Sequence, residues 1–75
     1  MQRHHTYLQV GDSVYHEKFL QWGIGVVVEA WDATLPGGLC FVKVRFQDGK
    51  VRVFNNDFEN FSCCYYAGLI RKERA

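Results

Sequence analysis

Strict alternation of apolar and polar side chains around an Asp-Gly turn constrains this chain more than any other feature. Val42, Val44 and Phe46 alternate with Phe41, Lys43 and Arg45. After Gln47-Asp48-Gly49 the pattern resumes, with Val51 and Val53 opposite Lys50, Arg52 and Phe54. A period of two marks a strand with one buried and one solvated face. Asp-Gly between two such runs is the strongest short-range hairpin signal, because both central turn residues must tolerate positive φ. Residues 39–46 and 50–55 are therefore expected to pair. In this register Lys43, Arg45 and Arg52 project from one side, flanked by Phe41 and Phe54, with Lys50 beside the turn.

The same reading extends along the chain. Residues 24–31 form a third strand, with Ile24, Val26 and Val28 facing one way and Val27, Glu29 and Trp31 the other. Gly23 and Gly25 at its start leave room for a bend or a close backbone approach. Residues 13–16 make a shorter strand before it. Residues 32–38, with the chain's single Pro and a Gly pair, are a loop. In residues 55–61, Asn and Asp can cap a helical turn, and Phe58 and Phe61 lie three apart on one side of such a turn. Residues 66–71 offer a last short strand. Short strands broken by turn signals, with one short helical turn before the last, describe an all-β, SH3-like barrel of about five strands. The expected organisation is one domain over residues 1–75, with its core in 10–71 and frayed termini at 1–8 and 72–75.

Composition narrows the class. A chain of 75 residues buries only roughly 60% of the surface its unfolded form exposes. Here 48% of residues are hydrophobic and 16% aromatic, which supplies large apolar area per residue and excludes a disordered tail. The net charge of +1 argues against a generic polyanion binder, whose domain pI usually exceeds about 9. No apolar run approaches the ~20 residues of a membrane span, and Met1-Gln2-Arg3-His4-His5 is unlike a signal peptide. A cytoplasmic setting is expected. Cys40 stands alone and Cys63-Cys64 are adjacent, an odd total that fits no closed disulfide set. They read as reduced, small apolar side chains; the alternative is a redox role for Cys63 and Cys64.

The segment Gly11-Asp12-Ser13-Val14-Tyr15-His16, followed by Phe19 and by Gly23-Ile24-Gly25-Val26-Val27, resembles the opening of bacterial Tudor-like domains. Such domains occur at the carboxyl end of UvrD/PcrA-type repair helicases and in related small bacterial proteins. Val42, Val44, Phe46 and Gly49 match the second half of that pattern. The CarD-like module that contacts RNA polymerase is a more distant cousin. The resemblance spans roughly residues 10–70 and is sharpest over 11–28. The long loop at 32–38 and the aromatic-rich segment 58–66 depart from it. It implies a Tudor-like barrel that docks to RNA polymerase, a repair helicase or nucleic acid, and it implies no catalysis.

Candidate sites follow from these faces. Lys43, Arg45, Lys50 and Arg52, with Phe54 and Trp31 as apolar anchors, are the expected partner-binding residues. Cations interleaved with rings suit an acidic protein surface with an apolar anchor or a nucleic-acid backbone with stacked bases; equally, they suit a solvated sheet face. Near-zero net charge favours protein over phosphate. Tyr15, Phe19, Trp22 and Trp31, with Asp32, could form a cation cage, but Phe19 and Trp22 fit better as plugs of a barrel end. His4, His5 and His16 lack metal-ligand spacing, Ser13 and Ser62 lie outside any nucleophile elbow, and no carboxylate pair is placed for acid–base work. The expectation is a non-catalytic protein-interaction module without cofactor or metal. Direct nucleic-acid binding and a small redox protein are the alternatives, and an unpaired barrel edge makes a homodimer possible.

Overall fold

The computed structural model describes residues 6–32 and 40–72. Its elements are β1 (Ser13–His16), a 3₁₀ turn (Leu20–Trp22), β2 (Gly25–Asp32), β3 (Cys40–Phe46), β4 (Val51–Asn55), α1 (Cys64–Ala67) and β5 (Leu69–Arg71). All pairings are antiparallel, in the order β4-β3-β2-β1-β5. The five strands curl into a half-barrel, the small all-β architecture that the alternation implies. The expected loop at 32–38, Leu39, His4, His5 and the end of the tail lie outside the described residues, apart from Asp32 and Lys72.

The hairpin forms, but with its second strand turned over. Phe46 N–H donates to the carbonyl of Lys50 at 2.9 Å, so Gln47, Asp48 and Gly49 make a three-residue loop. Gly49 closes it at φ 88°, the left-handed position that follows a type I turn in such loops and strongly favours glycine. A two-residue Asp-Gly turn would have set Val51 and Val53 beside Val44 and Phe46. One extra loop residue shifts parity, and a one-residue slip moves every side chain to the other face. Val44 therefore pairs with Arg52 and Val42 with Phe54, while Lys43 pairs with Val53 and Arg45 with Val51. Arg52 and Phe54 belong to the inner face. Val51 and Val53 stand on the outer face, 46% and 56% exposed.

A second parity change lies in β2. Val26 pairs with Arg45 and Val27 with Val44, but the register then skips, and Glu29 pairs with Lys43 and Trp31 with Phe41. Val28 is the extra residue of a β-bulge, which reverses the alternation beyond it. Glu29 and Trp31 thus join Val26 on the outer face instead of opposing it. Gly25 answers a close approach: a Cβ there would lie 2.6 Å from Val44 Cγ1 and 2.8 Å from Phe46 Cε1.

The core comprises Tyr7, Leu8, Val14, Val27, Val42, Val44, Phe46, Cys63, Cys64 and Leu69, with Trp22, Phe54 and Phe58 packed against it. Tyr7 and Leu8 fall within the terminus expected to fray, yet both are buried. The cause is Asn56, itself buried. Its Oδ1 accepts from Leu8 N–H at 2.8 Å and its Nδ2 donates to the Leu8 carbonyl at 2.9 Å. Its own carbonyl accepts from Tyr7 N–H at 3.2 Å, and its N–H donates to the Cys40 carbonyl at 2.8 Å. One side chain thus stands in for a strand neighbour and ties residues 7–8 to the end of the sheet.

The helical turn sits later than expected. Between β4 and α1, Asn55 Oδ1 accepts from Asp57 N–H, Asp57 Oδ1 from Glu59 N–H, and Asn60 Oδ1 from Ser62 N–H. Short polar side chains binding the backbone two residues on compete with a helix, so residues 57–62 turn repeatedly. The helix forms at Cys64–Ala67 and ends at Gly68, φ 108°, and Tyr66 lies in it rather than in the last strand.

Replacing Asn56 with Ala leaves the buried N–H and C=O of Leu8 unpaired. At about 1–3 kcal/mol for each unsatisfied group, Asn56→Ala is expected to cost about 2–4 kcal/mol in urea-induced unfolding. A loss below about 0.5 kcal/mol would show that residues 7–8 are not held this way.

Candidate interaction face

Cross-strand register builds three rows across the outer face of β2, β3 and β4. Val26, Arg45 and Val51 form the first; Glu29, Lys43 and Val53 the second; Trp31, Phe41 and Asn55 the third. Val26 and Trp31 are 42% and 45% exposed, comparable with Val51 and Val53. Lys43 Nζ pairs with Glu29 Oε1 at 2.7 Å and lies 5.6 Å from the centroid of the Trp31 ring. Among the described residues Arg45 has no ion pair. The face is thus an apolar surface with one unopposed guanidinium between two valines. Lys43 and Arg45 against Glu29 leave the face one formal positive charge.

Of the residues expected to bind a partner, Trp31, Lys43 and Arg45 meet on this face, and Lys50 flanks it at the exposed turn. Arg52 and Phe54 do not, because the three-residue loop directs them inward. Val26, Val51 and Val53 complete the face and were not among the expected residues. The signal that could have found them is the count of residues between Phe46 and Lys50.

Arg52 instead belongs to the end of the barrel. Its guanidinium lies 3.8 Å from the centroid of Trp22 and 5.1 Å from that of Phe46. Its two amino groups donate to the Asp48 carboxylate at 3.3 and 2.9 Å. Arg52 beside it holds the Asp48 carboxyl below its ordinary range. The 3₁₀ turn brings Trp22 against Phe19, the rings stacked at 4.6 Å, and both rings contact His16. Phe19 and Trp22 close this end as the sequence suggests. Trp31 lies beside Phe41, at the far end of β3 from Phe46, so the four candidate cage aromatics do not share one pocket.

A further aromatic cluster lies under α1. Tyr7, Phe58 and Tyr65 meet edge to face or tilted, and an open recess of about 340 Å³ is lined by Phe58, Glu59, Phe61 and Tyr66. Cys40, Cys63 and Cys64 are buried and are not joined to one another in a disulfide. Burial, with Cys63 alongside, pushes the Cys64 thiol up to about 12. A thiol so placed supplies little thiolate at neutral pH, which supports the packing role for it. Among the described residues no group of three His, Cys, Asp or Glu is arranged to hold a metal ion, and no helix is long and apolar enough to cross a membrane.

In comparisons with protein-family models, curated proteins and solved structures, nothing matches this chain. What fold and face define together is a small all-β half-barrel with a mixed apolar and cationic outer sheet.

His16 gives this end of the barrel a pH response. The imidazole is buried, and Nδ1 accepts from Lys18 N–H at 3.1 Å, which requires the neutral ring. Burial lowers its pKa below 6.5, with Lys18 adding to the effect. The unfolded chain therefore binds the proton more readily, and stability rises with pH through this window. The contribution is complete above the unfolded value of about 6.5 and shrinks as pH falls towards the folded one. Urea midpoints are expected to fall between pH 7 and pH 5 for the native chain and to change less for His16→Phe. Equal slopes in the two proteins would contradict this.

Proposed function

We propose that this chain is a non-catalytic protein-interaction module that docks its partner on the outer face of β2, β3 and β4. The observation that carries the reading is the set of three rows. Five apolar side chains, Val26, Trp31, Phe41, Val51 and Val53, share that face with Arg45 at its centre-edge and a neutralised Lys43–Glu29 pair. Exposed apolar area of this kind favours protein contact, and an unpaired Arg among apolar groups supports an acidic, partly apolar partner surface. Phosphate backbones draw on several unopposed cations, whereas here the net excess is one.

The partner class rests on the sequence resemblance: a component of bacterial transcription or DNA repair, with RNA polymerase and a repair helicase the first to test, in a cytoplasmic setting. Buried, unbridged cysteines accord with that setting.

Binding of the purified chain to immobilised RNA polymerase and to a UvrD/PcrA-type helicase tests the reading. Arg45→Glu and Val26→Asp are each expected to weaken binding at least about tenfold, or about 1.4 kcal/mol. Arg52→Ala is expected to leave affinity unchanged while lowering stability by about 1 kcal/mol through the lost stacking on Trp22. Binding that ignores Arg45 and Val26 but is lost with Arg52 would contradict the assigned face. Tight binding to DNA or RNA that falls log-linearly and steeply with salt would point to the nucleic-acid alternative.

A further inference from the structure

The free edge of β4 carries backbone groups as well as side chains. Phe46 and Lys50 are one hydrogen-bonded pair of the β3–β4 ladder, and Cys40 and Asn56 bond at its far end. Bonded pairs recur at every second residue of an antiparallel ladder, so Arg52 and Phe54 direct their N–H and C=O groups to β3. Val51, Val53 and Asn55 direct theirs away from it. β4 ends the strand order, and among the described residues no backbone hydrogen bond reaches those groups. At the opposite edge the N–H of Arg71 in β5 donates to the Tyr7 hydroxyl at 2.7 Å.

Sheet edges are commonly blunted by lysines or by inward-pointing charges. Lys50 precedes β4, and Arg52, its one charged residue, points inward onto Trp22 and Asp48, so the outer side of β4 itself carries no charge. The outer side of the edge is valine, open to solvent.

We propose that β4 pairs antiparallel with β4 of a second copy of this chain, about a two-fold axis at Val53, joining the two half-barrels into one continuous sheet. Charge and length select this register. With the axis at Val53, all five residues of β4 are paired: Val53 faces its own copy, Val51 faces the second copy's Asn55, and Arg52 faces the second copy's Phe54. With the axis one residue earlier, Arg52 opposes Arg52 of the second copy. Two residues earlier, Lys50 opposes the second copy's Arg52. Like charges directly opposite destabilise a strand pair. One residue later, Val51 runs past the end of its partner strand. The Val53 register alone opposes no like charges and leaves no strand residue over. It sets the outer faces side by side, and it does not depend on which protein docks there.

Sedimentation equilibrium on the full chain tests the pairing. The mean mass is expected to rise from 8.7 kDa towards twice that value as concentration increases to about 1 mM, the weak end of specific association. Val53→Lys and Val53→Glu, at an exposed site, each put like charges on the axis and are expected to raise the dimer dissociation constant at least tenfold. Mixed in equal amounts they are expected to associate again, as a heterodimer. That rescue requires residue 53 to face residue 53, which neither loss of folding nor loss of a docking partner can mimic. A native chain that stays monomeric throughout overturns the pairing and leaves the edge to a strand of another protein. A dimer unaffected by both substitutions, or a mixture that stays monomeric, overturns the edge or the register respectively.

Discussion

Three residues in one turn determine what this protein presents to its surroundings. Phe46 and Lys50 close a loop containing Gln47, Asp48 and Gly49, and an odd number of loop residues sends the even-numbered positions of both strands inward. Phe54 then completes the core beside Val42. Arg52 meets Trp22 and Asp48 at the barrel end, and Val51 and Val53 extend the apolar outer face. A loop shorter by one residue would bury both valines and expose Phe54. It would also separate Arg52 from Trp22 and give the outer face three cations in place of two. The make-up of the outer face, the Arg52–Trp22 contact at the barrel end and the residues that line the β4 edge all descend from that parity.

Closure of the other end depends on a polar residue. Asn56 satisfies both backbone groups of Leu8 and so brings Tyr7 and Leu8 into a core that the five strands alone would leave open on that side. The Tyr7 hydroxyl then accepts from Arg71 N–H at the β5 edge. Few residues serve so many contacts, and a chain this short has little other apolar area with which to replace them.

Much of the fold was legible because its signals are local. Period-two runs located β1, β2 and the hairpin, and the Asp-Gly pair located the turn. The glycines flanking Ile24 marked the entry to β2, where Gly25 admits Val44 and Phe46. What was not legible depends on counting through irregular backbone. The three-residue loop and the bulge at Val28 each flip a face, and no propensity distinguishes Val51 outward from Val51 inward when both sides of β4 carry apolar residues. Lys43 and Arg45 were nonetheless placed together, because β3 keeps its period, whereas Trp31 reaches their face through the bulge at Val28. Asn56 was hidden for another reason: its partner lies 48 residues away, and Asn in an Asn-Asn-Asp run reads as a turn residue. The same polar run displaced the helix, since side-chain bonds to nearby N–H groups won over helical ones.

The hairpin register is therefore the central claim, and nuclear Overhauser contacts across β3 and β4 test it most directly. The account expects side-chain contacts of Val42 with Phe54 and backbone pairing of Val44 with Arg52. It also expects Arg52 side-chain protons shifted upfield by the Trp22 ring 3.8 Å away. Contacts of Val44 with Val53 and of Phe46 with Val51, the pattern of a two-residue Asp48-Gly49 turn, would contradict it and with it the make-up of the outer face, the Arg52–Trp22 contact and the Val53 pairing register.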